Sequence, residues 1–244
     1  MNNDEITQDI LYGLSHLSNT KHTFILKILF EQGVVSYIMR MDLSANKQNL
    51  QNSLRLIGNL LTGDDLMTDQ MIQYGVINFL ERLLNSPISE IRKEATWSLS
   101  NIAAGTKGHI NSLINSSAFE KICELVKDPV LNVAREAVWT ISNCLSGSDL
   151  EICFKMANKG VIHPIIYALI HLKQPSILGV TLEGLIQLFQ HGDIVCQLDT
   201  PNPFVRHFIE NGGLEPLEKL QEHQNMEMFR IVTEIIERYF LNKV

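Results

Sequence analysis

Apolar residues along the chain recur in helical steps and do not alternate. Phe79, Leu80, Leu83 and Leu84 follow an i, i+1, i+4, i+5 stripe, and Ile91, Ala95, Leu99 and Ile102 continue at helical spacing in the next segment. Such spacing places apolar side chains on one face of a helix. No strictly alternating run bounded by turn residues stands out, so strands are not indicated. Asn85-Ser86-Pro87 and Lys127-Asp128-Pro129 punctuate helix–helix turns. Residues 6–18 are predicted to form one helix, with Ile6, Ile10, Leu11, Leu14 and Leu17 apolar and no upstream partner. Met226 to Leu241 is predicted to form the last, where Glu227, Arg230, Glu234, Glu237 and Arg238 suit a polar outer face.

These stripes sit inside a repeat. Asn59-Leu60-Leu61-Thr62-Gly63, Asn101-Ile102-Ala103-Ala104-Gly105 and Asn143-Cys144-Leu145-Ser146-Gly147 are spaced by 42 residues both times. Four residues before each Asn stand Arg55, Trp97 and Trp139. Tyr12 and His16 form a weaker upstream copy, one residue off register. A second marker, Gly33-Val34-Val35, Gly75-Val76-Ile77 and Gly160-Val161-Ile162, keeps nearly the same period, with Ser117-Ala118-Phe119 where a copy is missing. Asn211-Gly212-Gly213-Leu214 comes late, and the extra length is assigned to a long loop over the polar stretch from His191 to Pro203. Two or three helices in about 42 residues is the armadillo/HEAT size class. Such units cannot bury their apolar faces alone and stack on one another. The predicted fold is therefore all-α, an armadillo-repeat right-handed superhelical solenoid with a concave groove. It forms a single domain over 1–244: a partial repeat 1–20, then units 21–63, 64–105, 106–147, 148–192 and 193–244.

The polar face of the third helix in each unit is unusual. Glu94, Trp97 and Asn101 share one face opposite the apolar stripe, and Glu136, Trp139 and Asn143 repeat the arrangement. A single Trp at helical spacing is ordinarily core. A repeated Trp-x-x-x-Asn on the polar side is not explained that way, and three Asn in register are not chance. Helices pack about 8–10 Å apart, so Trp97 and Trp139 would stand side by side with a slot between them. An indole-walled slot favours a Lys or Arg stem by apolar contact plus a cation–π attraction of about 0.5–2 kcal/mol. Glu94 and Glu136 lie one turn away and could receive the charged head. Asn59, Asn101 and Asn143 offer both a C=O and an NH₂, which can pair with a peptide backbone. The parts make a binder of extended, Lys/Arg-rich peptides.

Charge agrees with this. Lys plus Arg is 20 against 27 Asp plus Glu, a formal net charge of −7. An acidic chain suits a basic partner and is a poor candidate for nucleic acid. No run of 18 apolar residues exists, so a membrane span is not expected. The polar start Met1-Asn2-Asn3-Asp4-Glu5 does not look like a signal peptide. The four cysteines form no CxxC pair, and the eight histidines show no metal-ligand spacing, so neither a metal nor another cofactor is expected. No phosphate loop occurs, and Ser146-Gly147-Ser148 is a repeat junction, not a nucleophile elbow. An enzyme is not expected.

Lys93-Glu94-Ala95-Thr96-Trp97-Ser98-Leu99-Ser100-Asn101-Ile102-Ala103-Ala104-Gly105 and Arg135-Glu136-Ala137-Val138-Trp139-Thr140-Ile141-Ser142-Asn143 resemble the third helix of an armadillo repeat of importin alpha (karyopherin alpha). The stretch from Leu54 to Asp65 resembles that family's sixth repeat, in which Arg replaces Trp. Glu234-Ile235-Ile236-Glu237-Arg238-Tyr239-Phe240 resembles the end of the tenth. On that register the chain covers the end of repeat five to repeat ten. The resemblance implies a nuclear-import adaptor binding nuclear localisation signals at the family's minor site, in cytoplasm and nucleus. Trp97 and Trp139 would sandwich basic stems, and Asn59, Asn101 and Asn143 would clamp the peptide backbone. Glu94, Ser100 and Glu136 would contact basic head groups. Arg55 would interrupt the aromatic ladder, and Leu61, Thr62 and Gly63 would line a lysine pocket. The resemblance also implies a nuclear export receptor or nucleoporin at the C-terminal repeats. Importin beta is not an expected partner, because the family's basic N-terminal arm has no counterpart in this sequence. The alternative is a non-transport armadillo scaffold, or an inactive or truncated importin-alpha-like protein, using the same groove for another extended partner.

Overall fold

The computed structural model describes residues 3–41, 46–196 and 201–241, and among them there is no strand. The chain divides into two compact units, residues 1–122 and 123–244. The first holds α1 (Asn3–Leu17), α2 (Thr23–Glu31), α3 (Val34–Arg40), α4 (Lys47–Leu60), α5 (Asp65–Gln73), α6 (Val76–Leu83), α7 (Ser89–Ala103) and α8 (Lys107–Ile114). The boundary falls within α9 (Ala118–Leu125). The second holds α10 (Leu131–Gly147), α11 (Leu150–Asn158), α12 (Ile162–His171), α13 (Pro175–Asp193), α14 (Pro203–Glu210), α15 (Leu214–Lys219) and α16 (Met226–Ile236).

The recurring pattern along the chain is a short helix, a tight turn, a second short helix and a long third one. Local chemistry sets each part. Four of the first helices start on a side-chain cap, α2 being the exception: Asp64 accepts from Met67 N–H, Thr106 from His109 N–H, Asp149 from Ile152 N–H and Asn202 from the Phe204 and Val205 N–H groups. The turn into the second helix is left-handed at Gly33, Gly75, Gly160 and Gly212, with φ of 75°, 88°, 81° and 77°. An L side chain there would cost about 1 kcal/mol or more, which is why the Gly-Val marker recurs in the sequence. Between α8 and α9 the chain turns through Asn115, Ser116 and Ser117 without positive φ, which explains the missing glycine.

The long helices make the core. In the first unit α4 packs between α1 and α7, and in the second α13 packs against α10, α12, α14 and α16. The stripes Phe79, Leu80, Leu83, Leu84 and Ile91, Ala95, Leu99, Ile102 are buried. Phe189 of α13 is fully buried, with ring centroids 5.5 Å from Phe208 and 5.0 Å from Tyr239. On α1, Leu11 is buried, whereas Ile6, Ile10 and Leu17 are exposed.

Two segments differ from expectation. His191 is not in a loop, because α13 continues to Asp193 and Nδ1 of His191 lies 2.8 Å from the Gln187 carbonyl oxygen one turn earlier. At the other end Asn202 is wholly buried, so it is not a loop residue in solvent. Part of the expected loop, residues 197–200, lies outside the described residues. The last helix passes from α16 into a π-helical turn at Glu237–Leu241, and its five expected outer charges are exposed.

Candidate functional site

Three of the long third helices carry three positions in one register: Asn52, Arg55 and Asn59 on α4; Glu94, Trp97 and Asn101 on α7; Glu136, Trp139 and Asn143 on α10. The first two sets belong to the first unit, where α4 and α7 pack side by side. Gly58 is the point of closest approach, since a Cβ there would collide with the indole of Trp97 and stand 2.9 Å from Ser98 Oγ. The amide of Asn101 donates to the Gly58 carbonyl oxygen at 3.0 Å. Indole and amide of α7 therefore both rest on the same glycine of α4, and the ring stays half-exposed.

Glu94 is paired through one oxygen, Oε1, while its Oε2 is buried without a hydrogen-bond partner among the described residues. Arg55 Nη2 donates to Glu94 Oε1 at 2.7 Å, while its guanidinium lies 5.3 Å from the centroid of the Trp97 ring. Lys93 Nζ donates to the same oxygen at 3.1 Å. Glu94 is only 2% exposed. A helical wheel of α7 alone places Glu94 on the polar face. The neighbouring α4 covers that side, and Arg55 and Lys93 neutralise the carboxylate, which would otherwise be costly to bury.

The remaining candidates fall as follows. Asn59 is buried, and its Nδ2 donates to the Ser15 carbonyl oxygen at 3.1 Å and to Ser18 Oγ at 2.9 Å, tying α4 to the end of α1. Its NH₂ thus has a folding role like that of Asn101, reaching the helix before it. In the second unit Trp139 is 41% exposed, Asn143 is half-buried, and Glu136 is buried with Arg135 Nη2 at 3.1 Å. Ser100 is buried, and its hydroxyl donates to the Trp97 carbonyl oxygen. Thr62 is exposed, and its hydroxyl donates to the Asn59 carbonyl oxygen. The ladder ends at α10: the corresponding residues of α13 are Thr181 and Leu185, both buried.

Sequence reasoning passed over Gly58, Ser15 and Ser18. A signal for the first was available, because Gly58, Ser100, Ser142 and Gly184 repeat at 42 residues and mark where third helices need a small side chain. Gly58→Ala is expected to cost about 1–3 kcal/mol by overpacking and to shift Trp97 emission. Denaturant unfolding followed by fluorescence checks both.

The buried cysteines offer little chemistry. Burial pushes the Cys153 thiol up to about 11 and holds Cys144 well above the ordinary thiol range. Alkylation of the native protein at pH 8 should therefore spare Cys144 and Cys153; mass spectrometry finding them modified before unfolding would contradict that. No helix among the described residues is long and apolar enough to cross a membrane.

Residues 64–104 match the Armadillo/beta-catenin-like repeat family, and residues 202–243 match the Atypical Arm repeat family. A designed armadillo repeat protein in complex with the peptide (KR)4 is similar in structure, with a TM-score of 0.84 at 24% identity over 97% of this chain and 94% of that one. Computationally designed armadillo repeat proteins for modular peptide recognition give the same score and identity over 98% and 94%. An engineered protein follows at 0.82 and 19%, over 98% and 92%. The fold is an all-α armadillo-repeat solenoid.

Proposed function

We propose that this protein is an armadillo adaptor that holds extended Lys/Arg-rich peptides on its third helices, as an importin-alpha-like carrier of nuclear localisation signals does. The observation that carries the reading is the triple register of Arg55, Trp97 and Trp139 with Asn59, Asn101 and Asn143, in which the Trp139 ring is 41% exposed and the Trp97 ring half-exposed beside an anchored amide. One exposed and one half-buried indole in a chain of net charge −7 present apolar, cation-attracting surface to a basic partner. That a similar fold was solved with (KR)4 supports the same peptide chemistry. In this reading the protein works between cytoplasm and nucleus, and its C-terminal helices meet an export receptor or a nucleoporin.

A scaffold for a different extended partner is favoured by one observation. Glu94 is already paired with Arg55 and Lys93, so it does not offer a bare carboxylate to a peptide cation.

The test is fluorescence anisotropy of a labelled Lys/Arg octapeptide titrated with the protein across a salt series. Saturable binding that weakens with salt is expected, because the Debye length falls from about 30 Å at 0.01 M to about 3 Å at 1 M. Salt-independent binding, or equal binding of a Glu-rich control peptide, would count against the basic-peptide reading and favour the scaffold.

A further inference from the structure

The first rung of the ladder is inverted in charge relative to the two that follow. Where α7 and α10 carry an acid and a Trp, as Glu94 with Trp97 and Glu136 with Trp139, α4 carries Asn52 and Arg55. A neutral amide stands in place of the carboxylate, and a cation in place of the indole. Beside this rung a recess of about 300 Å³ is lined by residues of α1, of the turn after it and of α4. Ser15, His16 and Asn19 line it on one side and Gln48, Gln51, Asn52 and Arg55 of α4 on the other, and no carboxylate lines it among the described residues.

One group in the recess lacks a partner. Asn52 is only 8% exposed, and its Oδ1 accepts from Gln48 Nε2 at 3.2 Å. Its Nδ2 has no acceptor among the described residues. A buried amide NH₂ without an acceptor is costly, and a ligand oxygen would satisfy it. Arg55 faces the same recess with a side chain 48% exposed and uses Nη2 for Glu94, so its other N–H donors can serve a second acceptor.

We propose that this recess is a subsite for a carboxylate side chain, Glu or Asp, of the extended peptide held by the neighbouring α7 rung. The proposal rests on the peptide-binding reading above and adds a position of opposite preference to it. A carboxylate can accept from Arg55 and from Asn52 Nδ2, a charge-assisted arrangement. A Lys there would meet Arg55 with no carboxylate among the described lining residues to receive it, so the recess also rejects a purely basic peptide out of register. The favoured ligand is a Lys/Arg run flanked on one side by an acidic residue.

The test is a positional scan of C-terminally amidated Lys/Arg peptides, so that a side chain is the only carboxylate besides any deliberately added one. Glu, Gln or Lys is placed at each position in turn, and affinity is measured by anisotropy. At one position Glu should bind about tenfold tighter than Gln, with Lys weakest. Asn52→Ala should remove most of that gain. Gln51→Glu, at a half-buried position of the same recess, should reverse the preference to Lys; its thermal melt checks that it folds. A peptide that binds with no position preferring Glu would overturn the subsite and leave the peptide-binding reading standing. Failure of every peptide to bind would overturn both. An otherwise free peptide C-terminus that replaces the Glu effect would assign the recess to a terminal carboxylate and overturn the side-chain assignment.

Discussion

Asn202→Ala should destabilise the second unit by about 2–4 kcal/mol. The Asn202 side chain is wholly buried and makes four bonds at once. Oδ1 accepts from the Phe204 and Val205 N–H groups at 3.0 and 3.2 Å, capping α14. Nδ2 donates to the Phe189 carbonyl oxygen at 2.7 Å and to Asp193 Oδ1 at 3.0 Å. Losing a cap costs about 1 kcal/mol, and leaving the buried Phe189 carbonyl and the Asp193 carboxylate short of a donor costs about 1–3 kcal/mol more. Asp193 Oδ2 also accepts from Arg238 Nη2 at 2.9 Å and from the Tyr239 hydroxyl at 3.1 Å. One amide therefore links the end of α13, the start of α14 and the last turn of the chain. Urea unfolding of wild type and variant measures the loss; a difference under about 0.5 kcal/mol, typical of a surface change, would contradict it.

The two tryptophans should separate on substitution. Trp97 packs on Gly58 and under Arg55, so Trp97→Ala should lower stability by about 2 kcal/mol, part of the cost of emptying a core aromatic site. Trp139 is 41% exposed, and Trp139→Ala should stay within about 1 kcal/mol of wild type. Affinity for a Lys/Arg peptide should fall in both by about 1–3 kcal/mol, the range of aromatic anchors at interfaces. Thermal melts and anisotropy on the same samples distinguish the two effects. Equal melting loss would mean that Trp139 is packed like Trp97, and unchanged affinity in Trp139→Ala would remove it from the binding surface.

Much of this was legible because it depends on one helix at a time. The buried stripe of α7 follows from helical period alone, and the recurring glycine from the backbone conformation that only it adopts easily. Glu94 shows where that reasoning stops. Its burial is decided by Arg55 of the adjacent helix, 39 residues away, and a wheel of α7 contains no such neighbour. The same holds for Asn59, whose amide is engaged by Ser15 of α1 and Ser18 in the turn after it. The register of Asn and Trp positions was plain in the sequence, but the donors already in use were not. At His191 a polar composition suggests a loop, but a helix tolerates polar residues where the backbone bonds itself and a ring nitrogen meets the preceding carbonyl. Asn202 is polar by type and wholly buried by use, and only the meeting of α13 with α14 makes that visible.

Basic peptides are expected to engage the indoles of Trp97 and Trp139. Trp97 and Trp139 are the only two tryptophans in the chain, so intrinsic fluorescence reports on nothing else. The measurement is a titration of the protein with a bipartite nuclear-localisation peptide, against the same peptide with its Lys and Arg replaced by Ala. A saturable change in tryptophan emission with the basic peptide, absent with the control, is the expected result. Unchanged emission at high micromolar peptide, or the same change with both peptides, would contradict the claim.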